Sequence, residues 1–168
     1  MSNKSLFWKG SWITTIALLI SFFACTKSEP GDDNSQPYNF DATLHSSDMK
    51  TNFGAIGFLK FRQDPDTARI ITLDTYISNL MPNHDYILQR AVNPITDADC
   101  TSVAWLTLGL GLTPQTIHTD SHGNGHEKLF RAVTAIARGT TFRIHFQIVD
   151  VSSTLAVLAS DCEQYTVR

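Results

Sequence analysis

Four large apolar residues, Phe142, Ile144, Phe146 and Ile148, alternate with Arg143, His145, Gln147 and Val149 near the end of the chain. Successive side chains of an extended backbone point to opposite faces, so a period of two sets one face into a core and leaves the other outside. Ile71, Leu73, Thr75 and Ile77 alternate with Thr72, Asp74, Tyr76 and Ser78 in the same way. From Tyr38 onward no segment keeps the 3.6-residue period of a helix for three turns. Further, less regular strands are expected at Tyr38 to Ser46, Phe53 to Arg62, Asp85 to Val92, Ala104 to Gly109, Lys128 to Ile136 and Leu155 to Val167. That makes about eight in all.

The breaks between these segments have physical causes. Asp64-Pro65-Asp66 presets a turn through the proline ring and through aspartates that bond local backbone. Gly123-Asn124-Gly125 offers the positive φ of a tight hairpin, and Arg138-Gly139 separates the next two strands. Short strands with turns at this spacing predict an all-β domain over residues 38–168, an antiparallel sandwich of two sheets. A chain of 168 residues with 42% hydrophobic content suits one such domain. Its net charge of −3 supplies no basic field, so nucleic acid is not expected as a partner.

The first residues read as an address. Lys4 and Lys9 precede the uncharged, mostly apolar run Ser11 to Ala24, which is shorter than the roughly 20 residues of a membrane span. A basic start, a short apolar run and a small residue at its end predict a signal peptide at residues 1–24. Ala24-Cys25 resembles the lipobox of bacterial lipoproteins. That resemblance implies that Cys25 becomes the first mature residue and carries acyl chains, which anchor the protein to the outer membrane of the cell envelope. Residues 25–37 are polar and rich in turn formers, as a flexible tether would be. Glu29, Asp32 and Asp33 resemble the export signal of Bacteroidota lipoproteins, which implies the outer face. Cleavage after Ala24 would leave 11 Lys and Arg against 16 Asp and Glu, a net charge of −5.

Leu80-Met81-Pro82-Asn83-His84-Asp85-Tyr86 resembles the Leu-x-Pro-x-x-x-Tyr turn of fibronectin type III and related immunoglobulin-like domains. The resemblance implies a turn that crosses between sheets and a tyrosine corner, with the Tyr86 hydroxyl bonded back to the loop. Leu80, Pro82 and Tyr86 are thus fold markers and imply no activity.

With Cys25 assigned to lipid, Cys100 and Cys162 remain in an oxidising compartment, where a disulfide between them is expected. Two buried thiols or a metal site are the alternatives. Elsewhere the chemistry concentrates in His118 to Glu127, where His118, His122 and His126 with Asp120 offer ligands for zinc or copper. The competing reading is a polar turn with solvated histidines. Asp120, His122 and Asn124 before Gly125 loosely follow a calcium loop, but Arg131 stands where that pattern needs Glu. Copper/zinc superoxide dismutase shares the sandwich architecture, yet its closely spaced His-x-His ligands are absent here. His45, His84 and His145 read as surface residues, Asp97 and Asp99 as a solvated loop, and Cys100 as no nucleophile. There is no Gly-x-Ser-x-Gly, no His-Glu-x-x-His and no P-loop, and residues 107–113 hold Gly-x-Gly without a following helix.

The expected function is therefore a non-enzymatic, membrane-anchored binding or structural module without a cofactor. Its loops Asn93 to Ser102, Leu110 to Gln115 and Thr119 to Glu127 would meet envelope proteins, glycans or a host surface. The alternatives are a zinc or copper protein using His118, His122 and His126, and an enzyme with a dispersed site.

Overall fold

The computed structural model describes residues 38–47 and 54–168. The expected signal peptide, Cys25 and the expected tether lie outside the described residues. In chain order the strands are β1 Tyr38–Ser46, β2 Ile56–Gln63, β3 Ile70–Ser78, β4 Asp85–Asn93, β5 Leu106–Thr107 and β6 Gly109–Leu110. They continue as β7 Thr113–Pro114, β8 Thr116–His118, β9 Gly125–Ala132, β10 Thr141–Asp150, β11 Ala156–Ser160 and β12 Glu163–Thr166. No helix occurs among the described residues.

The all-β expectation holds; the division into two antiparallel sheets does not describe the hydrogen bonding. β1, β2, β3 and β9 pair side by side, and β10 carries β4 on one edge with β11 and β12 on the other. β11 also pairs with β1, so the two groups are one continuous sheet. On the far side β8 pairs with β4, and the bridge Thr119↔Gly125 ties the end of β8 to β9. A single parallel pair, Leu110↔Phe130, makes the sheet mixed. The result is a curled sheet that nearly closes into a barrel. Near-closure covers most of the open edge that two separate sheets would expose.

The alternation read in the sequence fills the interior. Leu59 and Phe61 of β2, Leu73 and Ile77 of β3, Leu129 of β9, and Phe146 and Ile148 of β10 are at most 2% exposed. Burying each such side chain contributes about 1.5–3 kcal/mol. Phe40 stacks on Phe61 at 4.6 Å, and Tyr165 meets Phe61 and Phe142 edge-on at 4.9 and 5.0 Å. The Tyr165 hydroxyl donates to Oε1 of the fully buried Gln63 at 2.5 Å, which satisfies both polar groups in the core.

Leu80, Pro82 and Tyr86 lie in and beside the turn between β3 and β4. Leu80 and Tyr86 are buried, and the Met81 amide donates to the Tyr86 hydroxyl at 3.1 Å. The turn carries the chain from β3, between β2 and β9, to β4, between β8 and β10. Cys100 and Cys162 are joined, with Cα atoms 5.6 Å apart. The bridge ties the loop after β4 to the break between β11 and β12.

Candidate functional site

At one end of the barrel the core does not fill the space between the strands. Phe61, Ile71, Leu73, Phe142, Ile144 and Phe146 wall a cavity of about 380 Å³. Its residues come from the last part of β2, β4, β9 and β12 and the first part of β3 and β10, the ends that an antiparallel arrangement brings together.

Two arginines stand at this mouth because of strand parity. Along β4, the inward positions run Tyr86 and Leu88 (1% and 0% exposed), then half-buried Arg90, then Val92 at 38%. Along β9 the fully buried Leu129 is followed on the same parity by half-buried Arg131. Each arginine thus takes the first inward position beyond the dry core. β8 bridges β4 and β9 at the opposite end of the barrel. Past Arg90 and Phe130 no strand pairs with those two edges among the described residues, and the cavity lies between them.

No carboxylate pairs with either arginine among the described residues. Arg131 donates through Nη1 to the Gly111 carbonyl at 3.2 Å. Burial, and then the neighbouring Arg131 charge, pull the Arg90 guanidinium below the ordinary arginine range. Two like charges beside an apolar hollow set up a positive potential at its mouth. The loop after β4 is fastened to the same rim. Asn93, 4% exposed, donates to Asp97, which also accepts from the Thr101 amide and hydroxyl at 3.0 and 2.8 Å. Asp97 is therefore a loop fastener, and the Thr101 hydroxyl and amide hold its carboxyl below the usual range.

The histidine turn is at the other end and does not assemble the three-histidine zinc or copper site. His118 Nδ1 contacts Asp85 at 2.9 Å, whereas His126 Nε2 contacts Asp74 at 2.6 Å. His126 also stacks on Tyr76 at 4.3 Å, and His122 sits on the turn with the Ser121 hydroxyl 3.4 Å from its Nδ1. Asp120 accepts from the His122 and Asn124 amides at 2.8 and 3.0 Å, so it shapes the turn. His118 and His126 do border one shallow hollow with Asp120, but His122 is not part of it. Among the described residues no group of three His, Cys, Asp or Glu side chains could hold a metal ion. The physical reason is that His118 and His126 are drawn to separate carboxylates on β4 and β3, while His122 stays on the turn.

Two further histidines are not plain surface residues. His145 lies under Trp105 with ring centroids 4.7 Å apart, and burial pulls its imidazole below the ordinary histidine value. His84 Nε2 contacts Asp150 at 2.9 Å and the Ser152 hydroxyl at 3.3 Å. Serine and aspartate meet the same ring nitrogen, so no proton relay runs from Ser152 through His84 to Asp150.

Asp150 instead caps the turn after β10. Burial raises its pKa, but the Ser153 amide, the Ser152 hydroxyl and amide and the His84 charge outweigh it and hold the group at about 2. A carboxyl depressed on folding stabilises the native state above its unfolded value and loses that contribution as pH falls through the folded one. Between about pH 4 and pH 2 the loss amounts to about 1–2 kcal/mol after solvent screening. Urea midpoints of wild type and Asp150→Asn are expected to converge over that interval; a gap unchanged from pH 5 to pH 2 would refute this assignment.

Neither Arg90 nor Arg131 belongs to a motif, and only their inward place in an alternating strand marks them. The chain matches no protein-family model, no curated protein and no solved structure with which it was compared.

Proposed function

We propose that the chain is a non-enzymatic cell-envelope lipoprotein, held on the outer membrane through acyl chains on Cys25, whose barrel binds a ligand in the Arg90–Arg131 cavity. That cavity carries the reading. Small-molecule sites are concave, mostly apolar and about 300–1,000 Å³, with a few polar groups that orient the ligand. This one has about 380 Å³, aromatic and aliphatic walls and two cations at its rim.

The lipobox-like Ala24-Cys25 supports the anchor, and Glu29, Asp32 and Asp33 support an outward-facing position. Twelve residues separate Cys25 from Tyr38, a reach of at most about 40 Å when extended. Tyr38 pairs with Gln63, so the first strand begins at the cavity end. The loops beside the mouth are the surface that would meet an envelope protein or glycan. The Leu80–Pro82–Tyr86 corner supports an immunoglobulin-like ancestry for the barrel.

Two measurements test the reading. Mass analysis of the N-terminal peptide from membranes should find acylated Cys25, and Cys25→Ala should move the protein to the soluble fraction. An unmodified Cys25 in membrane-derived protein would end the anchor. The neutral dye N-phenyl-1-naphthylamine should bind saturably, one per chain, and Val92→Trp should block it by filling the mouth.

A further inference from the structure

From two arginines that meet no carboxylate among the described residues, at the rim of the apolar hollow, we infer that the ligand is a single-tailed amphipathic anion. Its apolar body lies among Phe61, Phe142 and Phe146, and its anionic head between Arg90 and Arg131. The inference rests on the proposed binding role of the cavity and names the ligand class it would take.

An arginine at an inward strand position is costly without a partner, because a guanidinium removed from water loses hydration that only an anion or dense hydrogen bonding restores. Here two such residues follow Leu88 and Leu129 on facing strands, at positions where a further apolar side chain would extend the core. Asp41 and Asp150, the carboxylates that meet Arg62 and His84, are committed elsewhere. A bound carboxylate, sulfonate or phosphate monoester supplies the missing counter-charge, and the planar guanidinium forks grip its oxygens. At about 380 Å³ the hollow lies at the low end of small-molecule sites, so it suits one chain or one fused ring system.

The experiment uses the full chain carrying Cys25→Ser, so that neither attached acyl chains nor detergent compete for the hollow. The anionic dye 1-anilinonaphthalene-8-sulfonate is compared with neutral N-phenyl-1-naphthylamine. Arg90→Gln with Arg131→Gln is expected to weaken the anionic dye at least tenfold and leave the neutral dye within twofold. Raising salt should weaken the anionic dye in wild type and much less in the double variant. Decanoate should displace it at least tenfold better than decanol, and decyl phosphate used in parallel tells a carboxylate from a phosphate head. Arg90→Leu should raise the urea midpoint while it loses the anionic dye, a result that failed folding cannot mimic. Neutral-dye binding with anionic-dye affinity unchanged in the double variant would overturn the anion while the binding site stands. Binding of neither dye by wild type would overturn the site and this inference together.

Discussion

Replacing both Cys100 and Cys162 by Ser is expected to cost about 4 kcal/mol of stability. The bridge spans 62 residues, and closing a loop of that length removes conformational freedom chiefly from the unfolded chain. Domains are commonly stable by only 5–15 kcal/mol, so the loss is a large fraction of the whole. The native side of the balance points the same way. Between β4 and β5 the chain has no strand or helix, and the bridge, the Asp97 hydrogen bonds and a Ser102 backbone bond with His145 fasten it. That segment leads into Trp105, which packs over His145 on the outward face of β10. The other tryptophans, Trp8 and Trp12, precede Cys25, so if residues 1–24 are removed, as proposed, fluorescence reports on Trp105 alone. Reduced wild type and the double Ser variant should show the same lowered urea midpoint and the same red-shifted emission. A double variant within 1 kcal/mol of oxidised wild type would show that the loop is held without the bridge.

The strands were legible where alternation is long. Residues 142–149 and 71–78 read as strands and lie within β10 and β3, and Tyr38 to Ser46 coincides with β1. Those patterns are local, since each residue's face follows from its neighbour's. β8 has three residues and β5 to β7 two each, too few to show a period, yet β8 closes the sheet. Closure depends on which edges meet across the molecule, and periodicity does not encode that. The predicted strand Leu155 to Val167 is split at Asp161 and Cys162, where the disulfide takes the place of ladder pairing. The histidine loop was conspicuous by composition, but the carboxylates that engage it come from β3 and β4, 52 and 33 residues away. Arg90 and Arg131 show the reverse case. Their signal, a charged residue on the inward parity after Leu88 and Leu129, is present in the sequence, but its meaning emerges only when β4 and β9 face one cavity.

Gly123→Ala is expected to destabilise the protein by about 3 kcal/mol, several times the effect of Gly139→Ala. Both glycines have nearly the same left-handed φ, 78° and 79°, so each substitution carries a similar backbone cost of about 1 kcal/mol. They differ in what surrounds them. A Cβ on Gly139 would meet nothing within 4 Å, whereas one on Gly123 would sit 2.1 Å from the Leu80 carbonyl oxygen. Backbone cannot swing aside as a side-chain tip can, so the turn must back away from the corner. That retreat strains a set of bonds joining the two. Leu80 donates to the Gly123 carbonyl at 3.1 Å, Asn83 to the Asp120 carbonyl at 3.1 Å, and His84 to the Thr119 hydroxyl at 3.0 Å. The Thr119 hydroxyl in turn donates to the Met81 carbonyl at 2.6 Å, beside the amide that bonds Tyr86. These bonds seat the β8–β9 turn on the Leu80–His84 turn, and that seat holds β8 between β4 and β9. Loss of the seat should therefore open the sheet at its closing strand, raising hydrogen exchange at Thr116 to Thr119 more than in β1 or β2. Equal midpoints for Gly123→Ala and Gly139→Ala would show that the corner yields to the added methyl group and that closure does not depend on this contact.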